Sequence, residues 1–465
     1  MAYTDTVDVV AAGEQTAARR IADISGKAIF VSLLCLIVFT AIPYGTAEAW
    51  WKAFFICAVF ALCILALVEG LLSSARRTSG WALLFPLLLL AAFSFLQTIP
   101  FGNRATPSIA QASWTAISVD PFGTQFFAFQ ILALALAAVL MYRYASSERR
   151  MRILIHTIIA VAFASALFGI IRQTSQHAVG FGLPRIQPDQ GYGQFINQNH
   201  FAFLMEMGFG LALGMLVAGG VRREKAMIYL AALLPIWTAL VLSNSRGALL
   251  AMLAQLVATV LLFPLAVPAT SGPQLKAFAV ARSLPVRVLL LLVLLIGVSV
   301  GTLWIGGERL ATKLEQGEVA RNPAAVSRNE IWQATWQMFK AHPIAGVGMG
   351  GYWIAVPAHH NASGTMGVQE AHNDYLELLA SGGIIGAAIG VWFFIVLWRR
   401  TYSTLRSPNR FRRVAGFAAS IGIIGVAVHS LFDFGLHMMV NALIFMALVV
   451  IATMNANVED QSENA

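Results

Sequence analysis

An imidazole that titrates near neutrality can take a proton from a hydroxyl, and His372 stands where that chemistry is useful. It opens the segment His372-Asn373-Asp374-Tyr375-Leu376-Glu377, after which the chain runs apolar to about Trp398. A proton-transfer side chain at the junction of a water-facing loop and a membrane helix marks a reaction centre at a membrane surface. Two arginines offer the complementary chemistry. Arg246 follows Ser243-Asn244-Ser245 at the start of an apolar run, where a guanidinium with neighbouring hydroxyls can grip a phosphate at headgroup depth. Arg328 falls in the first turn of an expected helix, where a cation opposes the macrodipole by roughly a few tenths of a kcal/mol. A disfavoured place for a cation asks for a reason, and anion binding is one. Asn373 and Tyr375 are candidates for orienting the histidine or touching a sugar, and Arg185 and His200 for contacting a carrier or glycan.

Other chemistries fit less well. His359, His360 and His372 share one loop with Glu370 and Asp374, but their spacing matches no standard zinc pattern, so no metal and no cofactor are expected. The glycines at 346, 348, 350 and 351 follow no strand, which favours a tight re-entrant turn over a nucleotide cradle. A serine hydrolase would need a nucleophile elbow that is not present. A proton-coupled transporter would hold several ionisable groups at mid-bilayer, whereas His156, Glu206 and His429 are the main ones within apolar runs.

The elements that must position these residues are membrane helices. A chain of 465 residues that is 58% hydrophobic and 11% charged has too little polar surface to cover a soluble globule. Apolar runs fall near 27–44, 49–69, 81–98, 123–142, 151–171, 200–219, 226–243, 246–268, 288–305, 375–398, 414–431 and 433–454. The expectation is an all-α polytopic membrane protein of about twelve transmembrane helices. A net charge of +9 could suggest nucleic acid, but most of the 31 basic residues sit in alternate loops, as the positive-inside rule requires of cytoplasmic ones. The partner implied is the lipid bilayer, not nucleic acid. Both termini are then cytoplasmic, with tails at 1–26 and 455–465 and no leader of signal-peptide type. Helices 1–9 occupy 27–305 and helices 10–12 occupy 375–454. The longest outward loop, 306–374, lies between helices 9 and 10. Within it Ser327 and Glu330 form a capping-box pattern, so a helix should start at Arg328 and end near Pro343. Cys35, Cys57 and Cys63 read as apolar fillers.

The segment His372-Asn373, nine residues, then Gly383-X-X-Gly386 resembles the O-antigen ligase and Wzy-type polymerase superfamily. Asn197-Gln198-Asn199-His200-Phe201, Ser245-Arg246-Gly247-Ala248, Ser327-Arg328 through Gly350, and His429 to Asp433 extend the likeness over roughly 165–450. The resemblance implies a metal-independent, inverting glycosyltransferase of the bacterial inner membrane, with its site facing the periplasm. It would move a glycan from an undecaprenyl-diphosphate carrier to an acceptor hydroxyl in surface polysaccharide synthesis. His372 would be the base and Arg246 and Arg328 the diphosphate clamp. The acceptor could be a glycan, lipid A–core or a protein hydroxyl; the Asn197–Phe201 stretch leans toward exopolysaccharide polymerases. A protein O-oligosaccharyltransferase and a non-catalytic flippase of lipid-linked glycan are the alternatives. Ser381 stands where many relatives carry glutamate, so no role of that carboxylate carries over.

Overall fold

The computed structural model describes residues 2–42, 44–72, 81–100, 116–175, 191–267, 292, 296, 326–360 and 367–454. The expected span at 288–305 (apart from 292 and 296), the loop segment 306–325, Arg185 and the 455–465 tail lie outside the described residues. The helices are α1 (Ala2–Ala41), α2 (Ala49–Leu72), α3 (Trp81–Gln97), α4 (Pro121–Tyr144), α5 (Glu148–Ser175), α6 (Gln198–Val217), α7 (Arg223–Leu242), α8 (Arg246–Ala266), α9 (Arg328–Ala341), α10 (Asp374–Leu405), α11 (Arg410–His429) and α12 (Met439–Thr453). Among the described residues, 9 helices are long and apolar enough to cross a membrane, and Ala82–Gln97 and Met439–Thr453 are shorter apolar ones. The protein is an all-α polytopic membrane protein. Two boundaries differ from the sequence reading. α1 already begins at Ala2, so the segment expected as a tail continues the first span as a helix. The last span starts at Met439, because Asp433 to Met438 form a turn that leads into it.

Lipid offers helices little hydrophobic reason to associate, so close packing of small residues and internal hydrogen bonds must hold them together. Both are present where α6 crosses α11. A Cβ on Gly210 would lie 2.6 Å from the Gly422 nitrogen, and one on Gly214 would collide with Ala418. The buried Gln255 of α8 donates through one Nε2 to the carbonyls of Glu206 (2.8 Å) and Ile421 (3.2 Å), joining three helices. At the basic end, arginines cap carbonyls across the loops: Arg152 reaches Gly220, Arg413 reaches Ala266, and the wholly buried Arg412 reaches Ser146.

At the opposite end α10 is broken rather than continuous. Gly383 adopts φ 61° and ψ −161°, outside the helical region and open to glycine at no steric cost. The glycine-rich loop docks into that break. Val347 and Gly348 donate to the carbonyls of Ala380 and Ser381, and Ile384 and Ile385 donate to those of Pro343 and Ile344. Gln97 of α3 completes the seam, donating to Ala345 and Ser381 carbonyls and accepting from Met349 N–H. The re-entrant turn read from the glycines is thus a backbone dock that fixes the first turns of α10. α9 lies over it, begun by the Ser327/Glu330 capping box, and packs Ile331, Ala334 and Met338 against Val347, Tyr352 and Ala380.

Candidate active site

The N-terminus of α10 and the C-terminus of α11 are tied together, and the tie creates the site. Asn373 caps α10, its Oδ1 accepting from the N–H groups of Tyr375 (3.1 Å) and Leu376 (3.0 Å). Asp374 N–H donates to Ser430 O at 3.0 Å and joins the two ends, while in the turn that follows α11 Asp433 N–H donates to His429 O at 3.1 Å. Upstream, Trp332 Nε1 holds the Ala371 carbonyl at 3.1 Å. Between these anchors His372 takes a left-handed backbone, φ 51°, unusual for a non-glycine residue and costly enough to need fixed neighbours.

That backbone turns the imidazole toward Asp433, which is 1% exposed. His372 Nδ1 lies 3.4 Å from Asp433 Oδ1, with His200 Nε2 at 3.7 Å from the same oxygen. Asn199 Nδ2 donates to Oδ2, and an Arg328 guanidinium nitrogen stands 3.5 Å from it. Burial by itself would raise the Asp433 carboxyl, but the hydrogen bonds and charges of His200 and His372 hold it well below the ordinary carboxylate range. Asp433 is therefore an anion. An anion 3.4 Å from Nδ1 favours the proton on that nitrogen, the tautomer with its lone pair on Nε2. The Phe434 ring sits edge-on to both imidazoles, 4.8 Å from His372 and 4.6 Å from His200.

Beside this group opens a cleft of about 110 Å³, lined by Arg246, Arg328, Asn199, Ser245, His429 and Asp433 among others. The two arginines come from the N-terminal turns of α8 and α9, whose helix dipoles add positive potential. Two guanidinium groups and two helix N-termini thus face one cleft, with the Asp433 carboxylate in its wall.

Of the residues singled out in the sequence, His372, Arg328 and His200 gather around Asp433, and Arg246 lines the same cleft. His200 is enclosed, 5% exposed, and braces Asp433 from behind. Asn373 serves as the helix cap, and the Tyr375 hydroxyl donates to Ala427 O at 2.8 Å. Arg185 lies outside the described residues. Asp433 and Asn199 are the centre's members that received no role from the sequence. The stretches His429–Asp433 and Asn197–Phe201 already carried the family likeness, so a signal was present without a role.

Residues 230–391 match the family model described as O-antigen ligase. Over that stretch the chain is similar to the O-antigen ligase family. The matched stretch holds Arg246, Arg328, His372 and Gly383, while Asn199, His200 and Asp433 complete the centre from outside it. No curated protein matches the chain.

The matched stretch also contributes to a second cluster, separated from the first by Phe434, whose ring is 5.6 Å from that of His437. His437 Nδ1 is 3.3 Å from Glu370 Oε1, and its Nε2 is 3.6 Å from Glu377 Oε1 and 3.7 Å from Asp374 Oδ1. Burial would lower the imidazole, but Glu370 and Glu377 outweigh it and raise His437 to about 10. Burial likewise would raise Glu370, yet His437 brings it down to about 2. Glu370, Glu377 and His437 offer ligand atoms within 4.8 Å of one another, so by distance they could hold a metal ion. With carboxyl groups at both ring nitrogens, the imidazolium already has its partners. These residues line a cavity of about 170 Å³ together with Lys52, Gln130, Tyr352 and Trp353.

Proposed function

We propose that the protein is a membrane glycosyltransferase that moves a glycan from an undecaprenyl-diphosphate carrier to an acceptor hydroxyl, at the periplasmic face of a bacterial inner membrane. The observation that carries this reading is the pairing of two centres: an arginine-lined cleft, and a histidine whose Nδ1 faces an anionic Asp433 at its edge. A diphosphate ester is a good leaving group. Catalysis then needs charge neutralised on the phosphates and a proton removed from the attacking oxygen.

In this mechanism Arg246 and Arg328 bind the diphosphate. The acceptor oxygen attacks the anomeric carbon from the face opposite the phosphate, and its proton passes to His372 Nε2. The anomeric C–O bond breaks with its electron pair going to the diphosphate, so configuration inverts. Asp433 stabilises the imidazolium that forms. Fixed cations do the work that a divalent ion does in many transferases, so the reaction is metal-independent. Among acceptors, another lipid-linked glycan, as in exopolysaccharide polymerisation, is the reading preferred here over lipid A–core or a protein hydroxyl.

The test is purified full-length protein with a lipid-linked glycan donor and each acceptor class in a separate reaction, with products read by mass. A lengthened or newly attached glycan supports the reading and names the acceptor. Transbilayer movement of the donor without any product would overturn it in favour of a flippase.

A further inference from the structure

Two fully buried titratable side chains have no part in that mechanism. Glu206 of α6 is 0% exposed and His429 of α11 is 1% exposed, and they meet at 3.1 Å through Glu206 Oε2 and His429 Nδ1. The ring's other nitrogen, Nε2, is 3.3 Å from Ser245 Oγ. Phe203 stacks on the imidazole at 4.0 Å and fixes its plane. Gly247 leaves the room: a Cβ there would stand 2.6 Å from the ring's Cδ2 and 2.7 Å from its Nε2. The chain Glu206–His429–Ser245 thus runs from the apolar interior to the wall of the cleft, ending beside Arg246.

We propose that Glu206 and His429 are positioning residues that present the Ser245 hydroxyl as a hydrogen-bond donor to the diphosphate in this cleft. The inference rests on the function proposed above and adds a neutral donor to its two arginines. A serine hydroxyl has two lone pairs and one hydrogen. As the cap of α8, Ser245 Oγ accepts from Ala248 N–H at 3.3 Å. Its second lone pair faces His429 Nε2. With Nε2 as donor, both lone pairs are filled and the hydroxyl hydrogen is left for the cleft that Ser245 lines. Glu206 at Nδ1 and Phe203 on the ring face hold the imidazole in the orientation that keeps Nε2 on Ser245. The same geometry accounts for Ser245-Arg246-Gly247-Ala248 residue by residue: donor, clamp, clearance for His429, and capped N–H.

Binding of undecaprenyl diphosphate, the carrier product, to purified full-length protein in detergent tests the relay. Ser245→Ala should weaken binding about tenfold or more, as loss of a hydrogen bond to a charged group does. Ser245→Thr, which keeps the hydroxyl, should recover most of it. His429→Asn, too short to reach Ser245, should show the loss of Ser245→Ala, and the double variant should bind no worse than Ser245→Ala alone. A purely structural His429 would instead give losses that multiply, and that result overturns the relay. So does a Ser245→Ala variant that binds like wild type, a readout independent of whether any His429 variant folds. If Arg246→Ala leaves binding unchanged, or wild type binds no undecaprenyl diphosphate, the diphosphate reading itself fails and the relay with it.

Discussion

His372 Nδ1 faces Asp433 Oδ1 at 3.4 Å, and the two residues are brought together only because α10 begins where α11 ends. The carboxylate dictates which imidazole nitrogen is free. His372 is the proposed base, but its competence depends on a residue from a different helix connection.

Asp433→Asn removes the anion while keeping the shape. Its amide can donate to Nδ1 and thereby shift the ring proton to Nε2, which blocks the base. The turnover rate should fall about 100-fold, within the range a general base contributes, with little change in KM for the donor. Steady-state kinetics of the folded variant check this, and near wild-type turnover would remove Asp433 from the mechanism.

The arginines should behave differently. Arg246→Ala and Arg328→Ala are each expected to reduce transfer by about 100-fold or more, the cost of deleting one group that stabilises developing charge. Lysine at either position should restore only part, since a point charge cannot repeat a bidentate fork. Excess EDTA should leave wild-type turnover unaltered, and a requirement for added divalent ion would sink the two-arginine account.

How much of this was legible in the sequence follows from the range of each interaction. Apolar runs and the Ser327/Glu330 box are local, so the spans and the start of α9 could be read directly. His372, Arg246 and Arg328 stood out because charged or titratable groups at membrane boundaries are costly without a purpose. Asp433 did not, because its importance comes from Asn199, His200, Arg328 and His372 converging on it from distant parts of the chain. Tyr375 looked equally exposed to substrate by sequence, yet helical periodicity turns its hydroxyl to the Ala427 carbonyl. The Gly383/Gly386 spacing advertised the family, but what Gly383 does is structural, and only the docked loop reveals it.

That role has a direct consequence. Gly383→Ala would force a side chain into φ 61° and into the Ile344 carbonyl, so it should cost about 1–3 kcal/mol of stability or more through strain alone. Ser381 should show the reverse: its Oγ is buried without a hydrogen-bond partner, so Ser381→Ala should be neutral or stabilising by up to about 1 kcal/mol. Thermal unfolding in detergent measures both. Unchanged stability of Gly383→Ala would contradict the broken-helix dock.

The His437 cluster makes the stability itself depend on pH through His437 and Glu370. His437 is raised from 6.5 to about 10, so its contribution is complete below 6.5 and is lost as pH rises through 10. Glu370 is lowered from 4.5 to about 2, so its contribution is complete above 4.5 and is lost as pH falls through 2. Both are whole only between 4.5 and 6.5. In His437→Gln the imidazolium is gone and Glu370 loses its main partner, leaving the carboxylates at 370, 374 and 377 facing one another. The difference in melting temperature between wild type and His437→Gln should therefore be largest in that window and close as pH rises toward 10. A difference that stays constant from pH 5 to 10 would mean that the cluster contributes packing rather than charge.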